Sequence, residues 1–131
     1  HLHKEWFELQ PAVAARLNEL RAAGKKLAVV GTTTTRVLES CATPAGILEA
    51  KTGETEIFLY PPYKFRAVDA MITNFHLPKS SLLMLISALV SAPNSAQPFE
   101  DFATSLVGQA YQTAIAEKYR FYSFGDGMLI L

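Results

Sequence analysis

The stretch "VDAMITNFHLPKSSLLML", residues 68–85, places a group of polar side chains between two apolar runs. His76 is the residue in it best suited to proton transfer, because an unperturbed imidazole titrates near neutral pH. Thr73 and Asn74 precede it, and three converging polar side chains strengthen the case for a general acid or base. The alternative is a structural hydrogen-bonding histidine, which is the commoner role of a lone histidine.

A second stretch, "VVGTTTTRVLES", residues 29–40, runs from apolar residues through four threonines. A strand that turns directly into a helix here would present free backbone N–H groups, hydroxyls and the positive end of the helix dipole, all suited to an anion or a ribose. The stretch lacks the further glycines of a dinucleotide or P-loop motif. A threonine helix cap without any ligand therefore explains it equally well.

A third stretch, "EKYRFYSFGDGMLIL", residues 117–131, surrounds Arg120 with aromatic residues. Aromatic rings beside a guanidinium can stack on a base and bind a phosphate. The alternative, favoured by composition, is the edge of an aromatic core in which Arg120 pairs with Asp126. Gly125 and Gly127 predict a backbone that passes close to a neighbour or adopts a positive φ.

The composition narrows the classes of partner. Lys plus Arg and Asp plus Glu both number 12, so the net charge is zero and any RNA contact would need a local patch. His3 and Glu5 stand two residues apart, but two side chains do not define a metal site and no cysteine cluster accompanies them. We therefore expect no metal.

The cysteine count and the length of the apolar runs indicate the cellular compartment of the protein. Cys41 is the single cysteine and fits a reducing, cytoplasmic environment. The longest apolar run, residues 82–90, is far shorter than the roughly 20 residues that span a membrane, and we expect no membrane segment. The chain begins at His1, in the middle of a pattern, so we expect a piece of a larger protein.

Strands and helices alternate along the sequence. The first predicted helix begins at Pro11 and ends before Gly24, and the second begins near Thr34 or Thr35. The third runs from a cap at Ser80 or Ser81 to about Ser91, and the fourth runs from Pro98 to about Tyr119. The predicted strands are residues 26–30, 55–60, 66–73 and 127–131. This order predicts an α/β fold, a layered and mostly parallel sheet flanked by helices.

The first two stretches both place a polar loop after a strand. Ligands of open α/β sheets bind at the carboxyl ends of the strands, where loops carry polar groups over a buried scaffold. We therefore expect the two loops to face one crevice.

Four segments also carry a resemblance to a known family. They are "HKEWFEL" (residues 3–9), "VVGTTTTRVLES" (29–40), "EIFLYPPYKFRAVDAMITNFHLPKSSLLMLISAL" (56–89) and "EKYRFYSFGDGMLI" (117–130). In this order they resemble the C-terminal part of the S-adenosylmethionine:tRNA ribosyltransferase-isomerases of queuosine biosynthesis. The resemblance covers nearly the whole chain.

The resemblance implies a reaction and an architecture. The family moves the ribosyl moiety of S-adenosylmethionine onto 7-aminomethyl-7-deazaguanine in the anticodon wobble position of tRNA, giving epoxyqueuosine, adenine and methionine. No cofactor or metal is expected, since S-adenosylmethionine is consumed, and the parent enzyme is expected to be a monomer. Residues 1–131 would be the C-terminal portion of the α/β domain of a two-domain enzyme. Its β-barrel domain and earlier α/β segments would lie outside this chain.

The resemblance also implies roles for particular residues. Proton transfer falls to His76, Asp126 and, behind them, Glu5. Thr32, Thr33, Thr73 and Asn74 suit the ribose hydroxyls and the methionine carboxylate, and Arg36, Lys79 and Arg120 suit a carboxylate or a tRNA phosphate. Two other interpretations stay open, a non-catalytic RNA-binding module and a structural fragment without binding of its own.

Overall fold

The computed structural model describes residues 4–131, which form five strands and four helices. The strands are β1 (Glu5–Leu9), β2 (Ala28–Val30), β3 (Lys51–Thr55), β4 (Ala70–Asn74) and β5 (Gly127–Ile130). The helices are α1 (Pro11–Ala22), α2 (Thr32–Cys41), α3 (Ser81–Leu89) and α4 (Leu106–Ala116). The predicted α/β class is confirmed.

These residues divide into two compact units. The first comprises residues 4–57, 65–72 and 131, and the second comprises 58–64 and 73–130. The boundary falls within β4, after Ile72. β4 lies between β2 and β5 in the order of the three-stranded sheet.

In the first unit, β1 and β3 form an antiparallel pair, whereas β2 and β4 pair in parallel. The parallel pair agrees with the predicted sheet, but β1 was not among the predicted strands. Apolar side chains from both pairs and from α2 are buried, namely Phe7, Leu9, Val29, Leu38 and Met71.

Proline and glycine residues stand at the ends of the two helices of the first unit. α1 begins at Pro11, as predicted, and Gly24 follows its C-terminus with φ 84°, a conformation that glycine adopts without steric cost. α2 begins at Thr32, earlier than predicted, because Gly31 takes the N-cap position at φ 93°. The chain therefore passes from β2 into α2 through a single residue.

Serine side chains cap the N-termini of both helices of the second unit. Ser80 accepts a hydrogen bond from Leu83 N at 3.1 Å and begins α3 as predicted, although α3 ends at Leu89. The predicted start of α4 at Pro98 is wrong, because Ser105 caps the helix and accepts from Gly108 N at 3.0 Å. A Cβ at Gly108 would lie 1.8 Å from the Phe102 carbonyl oxygen, so only glycine fits this first turn.

Two predicted strands need correction. The strand predicted at residues 55–60 is wrong: β3 ends at Thr55, and Ile57 N then donates to Thr55 Oγ1 at 3.2 Å, which is a local turn. The strand predicted at 66–73 forms only from Ala70. The backbone N–H groups of residues 66–68 donate instead to the buried carboxylate of Glu39, at 2.8–3.1 Å.

Candidate functional site

His76 lies in the loop that follows β4 in the second unit, and residues of β4 and α4 hold it. Thr73 Oγ1 and His76 Nε2 are 2.9 Å apart, and the His76 backbone N–H donates to the Tyr111 hydroxyl at 2.8 Å. Thr73 is buried, whereas His76 is half-buried. Desolvation by burial lowers the pKa of His76 below 6.5, so the imidazole is neutral at physiological pH. A neutral, oriented imidazole can accept a proton.

Phe75 anchors this loop in an aromatic cluster. It is buried, its ring stacks on Phe121 with centroids 5.0 Å apart, and it meets Tyr111 and Tyr119 edge-on at 5.3 and 5.9 Å. The Phe75 carbonyl oxygen also accepts a hydrogen bond from Tyr122 N at 3.0 Å. The cluster therefore holds the segment around Arg120 next to the loop that carries His76.

Asp126 closes the turn that begins at Arg120. Its Oδ2 accepts from the Arg120 backbone N–H and from Arg120 Nε, the latter at 3.3 Å. The hydrogen bond from the Arg120 backbone N–H is the main reason that the pKa of Asp126 lies below its usual value. The carboxylate is therefore ionised at neutral pH. The Arg120 side chain stays 66% exposed, with donors left for a ligand.

The two glycines beside Asp126 have the roles that the sequence predicts. Gly125 has φ 119°, and a Cβ there would lie 3.1 Å from Arg120 Nη2. A Cβ at Gly127 would lie 2.9 Å from the Thr73 carbonyl oxygen. The start of β5 thus passes directly beside the end of β4.

Asn74 and Lys79 are exposed on either side of His76. Asn74 is the last residue of β4, and Lys79 adopts φ 59° immediately before the Ser80 cap. The second unit therefore gathers six of the predicted site residues around two adjacent segments: Thr73, Asn74, His76, Lys79, Arg120 and Asp126.

In the first unit, Arg36 and Glu5 form an ion pair, with Nη1 and Oε1 3.1 Å apart. The Arg36 side chain is only 3% exposed, and it also donates to the carbonyl oxygens of Ile57 and Thr55, at 3.3 and 3.5 Å. The guanidinium thus joins α2 to β1 and to the end of β3. Its predicted contact with a substrate anion stays a prediction, since these hydrogen bonds and the ion pair serve the fold.

Thr32 and Thr33 stand at the start of α2, and Thr33 is exposed. Gly31 offers no side-chain cap, so the first N–H groups of the helix lack an acceptor within it. A groove of about 750 Å³ runs beside this helix and is lined mostly by apolar residues of β1, α1, β2 and α2. It includes Trp6, Val13, Val30 and Thr33.

Sequence reasoning missed Tyr111 and Glu39. Tyr111 shares a helical face with the buried Val107 and Ala114, a spacing that was available as a signal for an inward-facing hydroxyl. Desolvation by burial raises the pKa of Tyr111, so the phenol stays protonated. Glu39 is a buried carboxylate in the middle of α2, and its three backbone donors lie far along the chain, where no local pattern points to them.

Among residues 4–131, no group of three or more His, Cys, Asp or Glu side chains is placed to hold a metal ion. No helix within those residues is long and apolar enough to cross a membrane. His3, part of the rejected metal pair, lies outside the described residues.

The fold and the polar groups at the strand ends define part of an α/β protein with a candidate proton-transfer and anion-binding site. Residues 1–130 match the family model described as queuosine biosynthesis protein. The chain belongs to this queuosine biosynthesis family, and the resemblance identified from the sequence is confirmed.

Curated relatives carry a more specific name. The chain is 54% identical over 130 residues to the S-adenosylmethionine:tRNA ribosyltransferase-isomerase of Hyphomonas neptunium, and 50% identical over 129 residues to that of Ralstonia pickettii. These matches cover 99% and 98% of this chain but 34% and 33% of the relatives. The chain thus spans about a third of their length.

A solved structure agrees with the fold. The S-adenosylmethionine tRNA ribosyltransferase of Thermotoga maritima superimposes with a TM-score of 0.78 at 40% identity. The match covers 96% of this chain and 40% of that one. This coverage is consistent with a partial domain.

Proposed function

We propose that this chain is the part of an S-adenosylmethionine:tRNA ribosyltransferase-isomerase that carries His76 as the proton-transfer residue. The whole enzyme would move the ribosyl moiety of S-adenosylmethionine onto 7-aminomethyl-7-deazaguanine in the tRNA anticodon wobble position, giving epoxyqueuosine, adenine and methionine. The observation that carries the proposal is the hydrogen bond between Thr73 and His76 at the end of β4. It orients an imidazole that burial keeps neutral, in a chain whose relatives bear that enzyme's name.

The chemistry requires such a base. The positive sulfonium acidifies the adjacent C5′ proton, and a group that is unprotonated at neutral pH must accept it. His76 fits because burial keeps it neutral and Thr73 fixes its ring. Asp126 and Glu5 are the further candidates, but hydrogen bonds from Arg120 occupy Asp126 and an ion pair with Arg36 engages Glu5.

Binding would fall to the groups around the base. Thr73 and Asn74 suit the ribose hydroxyls, and the exposed cations Lys79 and Arg120 suit a carboxylate or a tRNA phosphate. Thr32 and Thr33 would offer hydroxyls and helix N-terminal N–H groups to the methionine carboxylate. We propose S-adenosylmethionine as a consumed substrate, no metal or cofactor, and a monomeric, cytoplasmic parent enzyme.

Thermal melting of the chain with and without S-adenosylmethionine tests the binding step. A ligand that binds only the native state raises the midpoint, by an amount that grows with ligand concentration. We expect a rise for wild type that Asn74→Ala reduces and Leu77→Ala, an exposed neighbour in the same loop, leaves unchanged. An unchanged midpoint at saturating ligand, with tRNA still bound, would favour a non-catalytic RNA-binding module instead.

The isolated chain is expected to fold without catalysing the transfer. Its caps, turns and buried faces are locally consistent, which favours folding. It spans about a third of its relatives, and a catalytic group misplaced by about 1 Å can cost roughly a hundredfold in rate. The assay is adenine release from S-adenosylmethionine with precursor-modified tRNA. A rate near that of the complete enzyme would show that residues 1–131 hold the entire site.

A further inference from the structure

Four aromatic rings of the second unit form a continuous series from the core to the surface. Phe75 stacks on Phe121 with centroids 5.0 Å apart, Phe121 meets Tyr122 at 6.4 Å, and Tyr122 meets Phe124 at 6.4 Å. Phe75 is buried, whereas Phe124 is 67% exposed. We call Phe75, Phe121, Tyr122 and Phe124 the aromatic ladder. Its two outer rings, Tyr122 and Phe124, contact each other and are exposed to solvent.

The backbone of Tyr122 points to a role for its side chain. Tyr122 adopts φ 59°, a left-handed conformation that is an outlier for a bulky residue and that glycine adopts freely. Its N–H donates to the Phe75 carbonyl oxygen, a bond that any residue except proline could make. The turn therefore has no backbone reason to carry a tyrosine. The ring itself, 44% exposed, is the feature that explains the residue.

Two exposed cations accompany the outer rings. Lys118 follows α4 and Arg120 begins the turn. Asp126 accepts hydrogen bonds from the backbone N–H and the Nε of Arg120. The terminal amino groups of the guanidinium make no hydrogen bond to any of the described residues, 4–131. Glu117 is the other charged residue of this segment, so the local net charge is zero and the rings must supply much of any affinity.

We propose that the outer rings of the aromatic ladder, with Lys118 and Arg120, form a docking surface for the unpaired bases of an RNA loop. Bases stack on fixed aromatic rings because every base has a π face, and the cations meet the phosphates between them. Within the proposed function, the occupant would be the anticodon loop of the tRNA substrate. The inference rests on that function and names the surface that receives the loop.

Anisotropy of labelled RNA with the purified chain provides the test. The probes are an RNA hairpin with an unpaired loop and a fully paired duplex of equal charge, and wild type should bind the hairpin more tightly. Phe124→Ala should weaken hairpin binding by about fivefold or more. Tyr122→Gly should also weaken it while the melting midpoint stays equal or rises, since the strained φ is relieved. Tyr122→Phe should keep the affinity.

Phe58→Leu is the matched control, because Phe58 is a similarly exposed aromatic residue of the same unit outside the ladder. Its hairpin affinity should equal that of wild type. The inference is overturned if Phe124→Ala and Tyr122→Gly bind the hairpin normally, or if hairpin and duplex bind equally. It is also overturned if wild type binds no RNA and instead self-associates in a way that Phe124→Ala abolishes.

Failure of the proposed function has a different signature. Ladder-dependent hairpin binding without any effect of S-adenosylmethionine on the midpoint would reject the enzyme assignment and retain the docking surface. A midpoint shift with S-adenosylmethionine, together with unchanged RNA binding by both ladder variants, would do the reverse.

Discussion

The two units each contain an arginine paired with a carboxylate, and the two pairs differ in almost every other respect. In the first, Arg36 is 3% exposed and donates to two backbone carbonyl oxygens besides Glu5. In the second, Arg120 is 66% exposed and its partner, Asp126, also accepts from the backbone N–H of Arg120. The same chemical pair therefore joins separate elements in one unit and closes a single turn in the other.

The contrast shows how burial decides what an arginine can do. A buried guanidinium must be paired, because desolvation of an unpaired charge costs several kcal/mol. Arg36 thus serves the packing of α2 against β1 and β3. An exposed guanidinium costs little to leave partly unpaired, so Arg120 retains donors for an external anion. Residue type alone made both arginines candidates for anion binding, and their surroundings separate them.

The largest expected effect concerns the buried guanidinium of Arg36. Arg36→Ala should lower the free energy of unfolding by about 3–5 kcal/mol, because it leaves the Glu5 carboxylate and two carbonyl oxygens without their donor. Arg36→Lys should recover part of this loss, since lysine keeps the charge but not the planar fork. Urea denaturation of the chain measures both.

The matched control is Arg16→Ala. Arg16 and Glu19 form an exposed pair in α1, 2.9 Å apart, in the same unit. We expect a change within about 0.5 kcal/mol there, as for most exposed pairs. An Arg36→Ala variant as stable as Arg16→Ala would show that burial does not distinguish the two kinds of pair.

Arg120→Ala should leave stability nearly unchanged and weaken RNA binding. The side chain is mostly exposed, so its loss is expected to cost less than about 0.5 kcal/mol in folding. If Arg120 meets a tRNA phosphate, the slope of log affinity against log salt should shrink by roughly one. Unchanged affinity for both tRNA and S-adenosylmethionine at low salt would identify the Arg120–Asp126 pair as purely structural.

A smaller effect is expected from pH. The pKa of His76 is lowered by desolvation, so the unfolded chain binds a proton at this site more readily than the folded one. The contribution to stability is therefore full above pH 6.5 and is lost as the pH falls from there through the folded pKa. Unfolding experiments between pH 7.5 and pH 5 should show a steeper loss for wild type than for His76→Gln.

Protonation of Asp126 should change the stability at a lower pH than protonation of His76 does. Its pKa lies below 3.8 because the Arg120 backbone N–H stabilises the carboxylate. Its contribution to the free energy of unfolding is thus full above pH 3.8 and is lost as the pH falls through the pKa of the folded state. Equal pH dependence of wild type and Asp126→Asn in this range would contradict the hydrogen-bonded turn.

Local signals in the sequence located several features of the second unit. The Ser80 cap, the strand at residues 127–130 and the glycines around Asp126 all follow from turn and cap chemistry that a few neighbouring residues determine. The polar loop after β4 was predicted for the same reason. The Ser80 cap and the turn closed by Asp126 depend on contacts within their own segments, whereas β5 also pairs with β4.

Features set by distant partners could not be predicted in the same way. β1 forms because β3 pairs with it, and the residues before β4 are irregular because Glu39 takes their N–H groups. The partner that fixes the His76 backbone, Tyr111, lies 35 residues away. The shared crevice expected for the loops after β2 and β4 stays a prediction.

The central claim is that His76 transfers a proton in the complete enzyme, and the most direct test is the rate of adenine release by His76→Ala. We expect a loss of about 100-fold or more in turnover, as for removal of a general base, with a change in the free energy of unfolding below about 1 kcal/mol. Leu77→Ala, in the same loop, should keep both values near wild type. Near-normal turnover by His76→Ala, combined with a folding loss above about 2 kcal/mol, would contradict the account and make His76 a structural residue.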